Sequence, residues 1–190
     1  LTGVVANVGT VAPGHSIGHL TIDGDFTQAA DATLEIEVGD GAADRLTVTG
    51  TADLAGTLRI VPDGYATAGS YTILEAAGVD GTFDSVRSVA VLDVELSDAD
   101  ADGLSLDVTR NSYASLATGS NRSLADDLDV LRPTAEGDFA DLLDRLDLAL
   151  TTSELNAGLS DLTPRIHGQA TVLALENGQA GFESLRRRMD

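Results

Sequence analysis

The feature that most restricts this chain is an alternation of apolar and polar residues that fills about its first 110 positions and then stops. His19-Leu20-Thr21-Ile22, Thr33-Leu34-Glu35-Ile36-Glu37-Val38, Arg45-Leu46-Thr47-Val48-Thr49 and Thr57-Leu58-Arg59-Ile60-Val61 each repeat with period two. That is the pattern of a strand with one buried face. Ser70-Tyr71-Thr72-Ile73-Leu74 and Leu104-Ser105-Leu106-Asp107-Val108-Thr109 continue the series. Asp23-Gly24, Asp40-Gly41, Asp63-Gly64 and Asp102-Gly103 punctuate it. Gly accepts positive φ and Asp tolerates it, so these pairs read as turns. The region also resembles itself: Leu20–Gly24 matches Leu46–Gly50 at an offset of 26, and Thr33–Glu37 matches Thr57–Val61 at an offset of 24. Self-similarity at such a period points to stacked coils. The expected fold is mainly β, a short right-handed parallel β-helix (a solenoid) with a C-terminal cap. A β-sandwich of short strands is the alternative that the same pattern allows.

From residue 111 the apolar spacing changes to that of helices, which divides the chain into residues 1–110 and a helical segment of residues 111–190. Asn121 is placed to cap a helix carrying Leu124, Leu128 and Leu131 that stops before Pro133. Thr134 opens a second, with Phe139, Leu142, Leu143, Leu146 and Leu150 on one stripe. Thr152 or Ser153 begins a third, with Leu155, Leu159 and Leu162. Pro164 suits the first turn of a fourth, which carries Ile166, Ala170, Leu173, Phe182, Leu185 and Met189. Gly168, Gly178 and Gly181 weaken that last helix by about 1 kcal/mol each relative to Ala, so it needs a partner or an enclosing wall.

Charge excludes several functions. The 190 residues carry 31 acidic and 11 basic side chains, a net charge of −20, and every basic residue is arginine. Such a surface repels phosphate backbones and anionic lipid heads, so no nucleic-acid partner is expected. The absence of cysteine removes disulfides, thiolate zinc sites and cysteine nucleophiles. No apolar run approaches the roughly 18 residues of a membrane span, and no signal peptide is read at Leu1. Both ends read as cut from a longer polypeptide.

Two short motifs carry chemistry elsewhere. Gly14-His15-Ser16-Ile17-Gly18 fits the G-x-S-x-G elbow of serine hydrolases, with Ser16 as nucleophile. That elbow needs a helix directly after the serine, and here a strand-like run follows. Asp98, Asp100 and Asp102 have the spacing of the first half of a calcium loop, but the closing bidentate position is Thr109 instead of Glu. They are a weak calcium candidate; a solvated acidic turn is the plainer reading. The aspartates at 126, 127, 129, 138, 141, 144 and 147 read as wet helix faces. His15, His19 and His167 are too scattered for a metal cluster, and no phosphate-binding loop occurs. No catalytic residue, metal or cofactor is assigned.

The stretch Gly9-Thr-Val-Ala-Pro13-Gly14-His-Ser16-Ile-Gly18-His-Leu20-Thr-Ile-Asp-Gly24-Asp25-Phe26-Thr-Gln28 resembles the signature near the C-terminal end of autotransporter passenger domains. Asp44–Gly50, Leu54–Leu58, Gly69–Leu74 and Gly81–Phe83 extend the resemblance, and Leu155–Pro164 and Phe182–Met189 resemble the helical linker before the family's translocator barrel. Glu183 and Ser184 stand where some members cut themselves between two asparagines, so that cleavage is not expected. The resemblance implies a non-enzymatic folding and secretion module at the outer membrane or cell surface of a Gram-negative bacterium, or secreted from it. Its cap, the autochaperone region expected over Asp80–Arg110, would template the passenger. Its partners would be its own upstream rungs and its own downstream barrel, which is absent from these residues, and the chain would be a monomer. The alternatives are an adhesin-like binding module and, less favoured, a serine hydrolase using Ser16.

Overall fold

A computed structural model describes residues 1–14, 16–97 and 103–162. Among the described residues the alternating region forms eleven strands: β1 (Val5–Asn7), β2 (Thr10–Val11), β3 (His19–Ile22), β4 (Phe26–Gln28), β5 (Thr33–Val38), β6 (Arg45–Leu54), β7 (Thr57–Pro62), β8 (Gly69–Gly81), β9 (Ser85–Arg87), β10 (Leu92–Leu96) and β11 (Gly103–Arg110). One sheet has the order β1-β4-β6-β8-β11-β10, with β3 also paired to β6; the other has the order β2-β5-β7-β9. The sequence's self-matches become cross-strand registers. Leu20 pairs with Leu46 and Ile22 with Val48 in parallel, and Thr33 pairs with Thr57 and Ile36 with Ile60. Identical or closely similar residue types therefore stack across neighbouring strands.

The expected right-handed parallel β-helix is overturned. The strands lie in two sheets that do not close into a solenoid, and the larger sheet is mixed. β8 is the pivot. Its later residues pair in parallel with β6, but Gly69–Glu75 pair antiparallel with β11, and β11 pairs antiparallel with β10. With four α-helices following among the described residues, the fold is mixed α and β. The physical reason is that a repeat of 24 or 26 residues specifies the register of parallel neighbours only. It says nothing about whether the sheets join, or about a strand that turns back on its predecessor.

The helices are α1 (Tyr113–Leu116), α2 (Asn121–Leu131), α3 (Gly137–Asp147) and α4 (Thr152–Leu162), with a 3₁₀ turn at Arg132–Thr134 that carries Pro133 in its first turn. Asn121 does not cap α2; Ser120 holds that position, and the Asn121 amide donates instead to the Asn156 carbonyl and to Ser160 Oγ of α4. Inward residues of both sheets, among them Ile22, Phe26, Leu34, Ile36, Leu46, Leu58, Ile73 and Leu106, join Tyr113, Ala125, Leu128, Leu143, Leu155 and Leu159 in one apolar cluster. The helices are thus built onto the same core as the strands. The expected fourth helix, from Pro164 on, lies outside the described residues, as do His15, His167, Asp98, Asp100 and Asp102.

Candidate functional site: an open strand edge and a buried charged junction

Both sheets begin at strands with a partner on one side only. β1 pairs with β4, and β2 pairs with β5. Val5 N–H donates to the Asp25 carbonyl, Ala29 N–H to the Asn7 carbonyl and Thr33 N–H to the Gly9 carbonyl. Backbone groups alternate sides along a parallel strand, so Ala6 and Thr10 turn their N–H and C=O to the open side. Leu1, Val4 and Val8 beside these strands are 67%, 73% and 77% exposed. Unpaired backbone groups flanked by exposed aliphatic residues form a template for another strand.

Behind the edge, acidic residues stitch successive strand layers together. The buried Asp44 carboxylate accepts from Gly18 N–H at 2.6 Å and Glu37 N–H at 3.0 Å. Asp25 accepts from Thr51 N–H at 2.9 Å, and Asp84 from Gly56 N–H at 2.7 Å. Removal from water raises the Asp44 pKa above its ordinary value; the two N–H donors pull the other way, and the charges of Asp63 and Glu35 add to the rise.

No protein-family model matches this chain, and no curated protein is significantly similar to it.

At the other end of the larger sheet, the helices join through a buried cluster of charge. Asp147 of α3 is fully buried. It accepts from Arg110 Nη2 of β11 at 2.7 and 2.9 Å, from Arg132 Nε and Nη2 at 3.1 and 2.9 Å, and from the Tyr113 hydroxyl of α1. Arg132 also donates to Asp144. The Tyr65 ring lies beneath both guanidinium groups, 4.8 Å from that of Arg110 and 5.3 Å from that of Arg132. Two cations, two carboxylates and two phenols thus fix β11, α1, the 3₁₀ turn and α3 to one another. Burial alone would lower the Arg132 pKa, but the Asp147 carboxylate beside it outweighs that and raises it; burial and the same carboxylate push the Tyr113 hydroxyl upward. Asp129 accepts from Tyr113 N–H at 2.8 Å and Ala114 N–H at 2.9 Å, which satisfies the start of α1.

Asp129 and Asp147 correct the reading of these aspartates as wet helix faces: both turn inward to donors, whereas Asp126, Asp127, Asp138 and Asp141 are exposed. Sequence periodicity missed Arg110, Arg132 and Asp147 because their partners come from 37 and 15 residues away. A findable signal existed for Asn7 and Gln28. Each is a polar residue on the inward parity of its strand, two positions after Val5 and Phe26.

The hydrolase-like pentapeptide has a backbone explanation. Ser16 lies in an exposed bend, and strand β3 follows it where the elbow requires a helix. A Cβ on Gly14 would sit 2.1 Å from the Ser16 carbonyl oxygen and 3.1 Å from Gly18, so the glycines allow the loop to pinch shut. His19 Nε2 bonds Thr47 Oγ1 at 2.7 Å. Among the described residues, no three His, Asp or Glu side chains gather where a metal could bind, and no helix is long and apolar enough to cross a membrane.

Proposed function

We propose that this chain is a non-enzymatic folding module of a polypeptide secreted by the autotransporter route. Its β1 and β2 edges receive, in parallel, strands of the polypeptide that precedes it, and its helices lead toward a translocator barrel in the outer membrane. Its partners are its own neighbouring segments, and it works as a monomer at the cell surface. One observation carries this reading: both sheets start at edges whose free backbone groups are flanked by exposed Leu1, Val4 and Val8. The opposite end of the larger sheet is turned back by β11 and β10 and tied to the helices. The smaller sheet ends at β9, a strand of three residues, so the β1 and β2 edges are the ones that lie toward the chain preceding residue 1. The resemblance of residues 9–28 to passenger C-termini supplies the secretion context. Strands that settle on the edge after export could not slip back through a pore, so edge pairing would bias movement outward.

The test is the double substitution Ala6→Pro/Thr10→Pro in the full-length parent. Proline removes the two N–H groups that face the open side and spares the bonds to β4 and β5, so the chain itself still folds. The expected result is a purified chain whose melting temperature moves by only a few degrees. Surface display of the parent would fall, and the segment before residue 1 would become protease-sensitive. Normal display with a resistant upstream segment would refute the proposal.

A further inference from the structure

Two buried amides run along one inner corner of the sheets. Asn7 ends β1 and is 5% exposed; Gln28 ends β4 and is 2% exposed; the two are register partners. Asn7 Nδ2 donates forward to Gln28 Oε1 at 3.1 Å and to the Thr33 carbonyl at 2.9 Å. Gln28 Nε2 repeats the forward step, donating to the Ala55 carbonyl at 2.8 Å and the Thr57 carbonyl at 3.2 Å. Each amide therefore bonds the first residue of the next strand in the smaller sheet, because Thr33 opens β5 and Thr57 opens β7. Thr10, Thr33 and Thr57 form one register row. Thr10 begins that row, and its carbonyl faces the open side. Among the described residues, Asn7 Oδ1 accepts from Gly9 N–H alone, at 3.0 Å, which leaves it one lone pair.

A strand laid on β1 would bury both of these acceptors, and buried acceptors require donors. An aliphatic side chain at that position offers none. A side-chain amide offers two donors on one nitrogen, which is what the existing steps use twice. We propose that the segment adding to β1 carries an Asn or Gln in register with Asn7, donating to Asn7 Oδ1 and to the Thr10 carbonyl. The amide selects the register, since a slip of one residue would turn it outward and a slip of two would move it off both acceptors. This inference rests on the proposed role of the edge and adds the partner's identity at one position. The spacing from Asn7 to Gln28 is 21 residues, so the required amide lies about that far ahead of Asn7.

The experiment inserts a second copy of residues 5–25 ahead of Val5 in the whole chain, which sets the copied Asn 21 residues before Asn7. Hydrogen exchange is followed at the N–H groups of the original Ala6 and Thr10. The extended chain should slow both by about tenfold or more relative to the unextended chain. Replacing the copied Asn by Leu should abolish most of that protection, and replacing it by Gln should restore it. Equal protection by the Leu and Asn copies would overturn the amide rule while leaving strand addition intact. No protection by any copy, with the rest of the exchange map unchanged, would overturn both.

Discussion

Asp147 holds two guanidinium groups and a phenol at once, and of the two arginines Arg132 alone also reaches a second carboxylate, the half-buried Asp144. Asp147→Ala would take from Arg110 its carboxylate partner and leave Arg132 with Asp144 alone. Removing one side of a buried ion pair typically costs about 3–5 kcal/mol, and urea unfolding should show a loss of that size. A loss under about 1 kcal/mol would mean the pair is effectively solvated. The same residue shows where sequence reading stops. Asp138, Asp141, Asp144 and Asp147 look alike on a helical projection. What separates the last is an arginine from a strand 37 positions earlier, and no local pattern carries that information. Asn7 and Gln28 were more accessible, because strand parity alone turns them inward.

At the level of elements, the repeats translated well. Offsets of 26 and 24 residues reappear as the β3–β6 and β5–β7 registers, since matched side chains pack best beside each other. The start of α4 at Thr152 was likewise visible, because its leucines recur at helical spacing. Sheet closure was not visible, and the antiparallel return through β11 went unread because β11 alternates like any other strand. The corners between elements are tight. Gly56 has φ +67, and a Cβ there would meet the Ala32 carbonyl oxygen at 2.5 Å and that of Ala29 at 2.6 Å. Gly41 has φ +74 with no atom within 4 Å. Gly41→Ala should cost only the conformational penalty, about 1 kcal/mol, and Gly56→Ala about 2 kcal/mol or more. Chemical denaturation of the two variants compares them directly, and equal costs would show that the carbonyls can move aside.

For the molecule as a whole, a net charge of −20 opposes compaction. Asp44 adds to this in a defined direction. Its folded pKa is raised above the ordinary 3.8, so the folded state takes up protons before the unfolded chain does. Stability therefore rises as pH falls from neutral through the folded value, and is lost again as pH climbs. Scanning calorimetry on acidification from neutral pH should record a melting temperature that climbs until the unfolded chain's carboxylate also takes up its proton. A flat or falling trend would mean that lost ion pairs outweigh relief of repulsion. One further consequence comes from the core, which passes from the sheets into the helices as a single cluster. Tension applied beyond Leu162 would travel through Leu159, Leu155 and the Arg110–Asp147 clamp into β11. A pull from that side would then load helices and sheets together, and the molecule would resist extension as one piece.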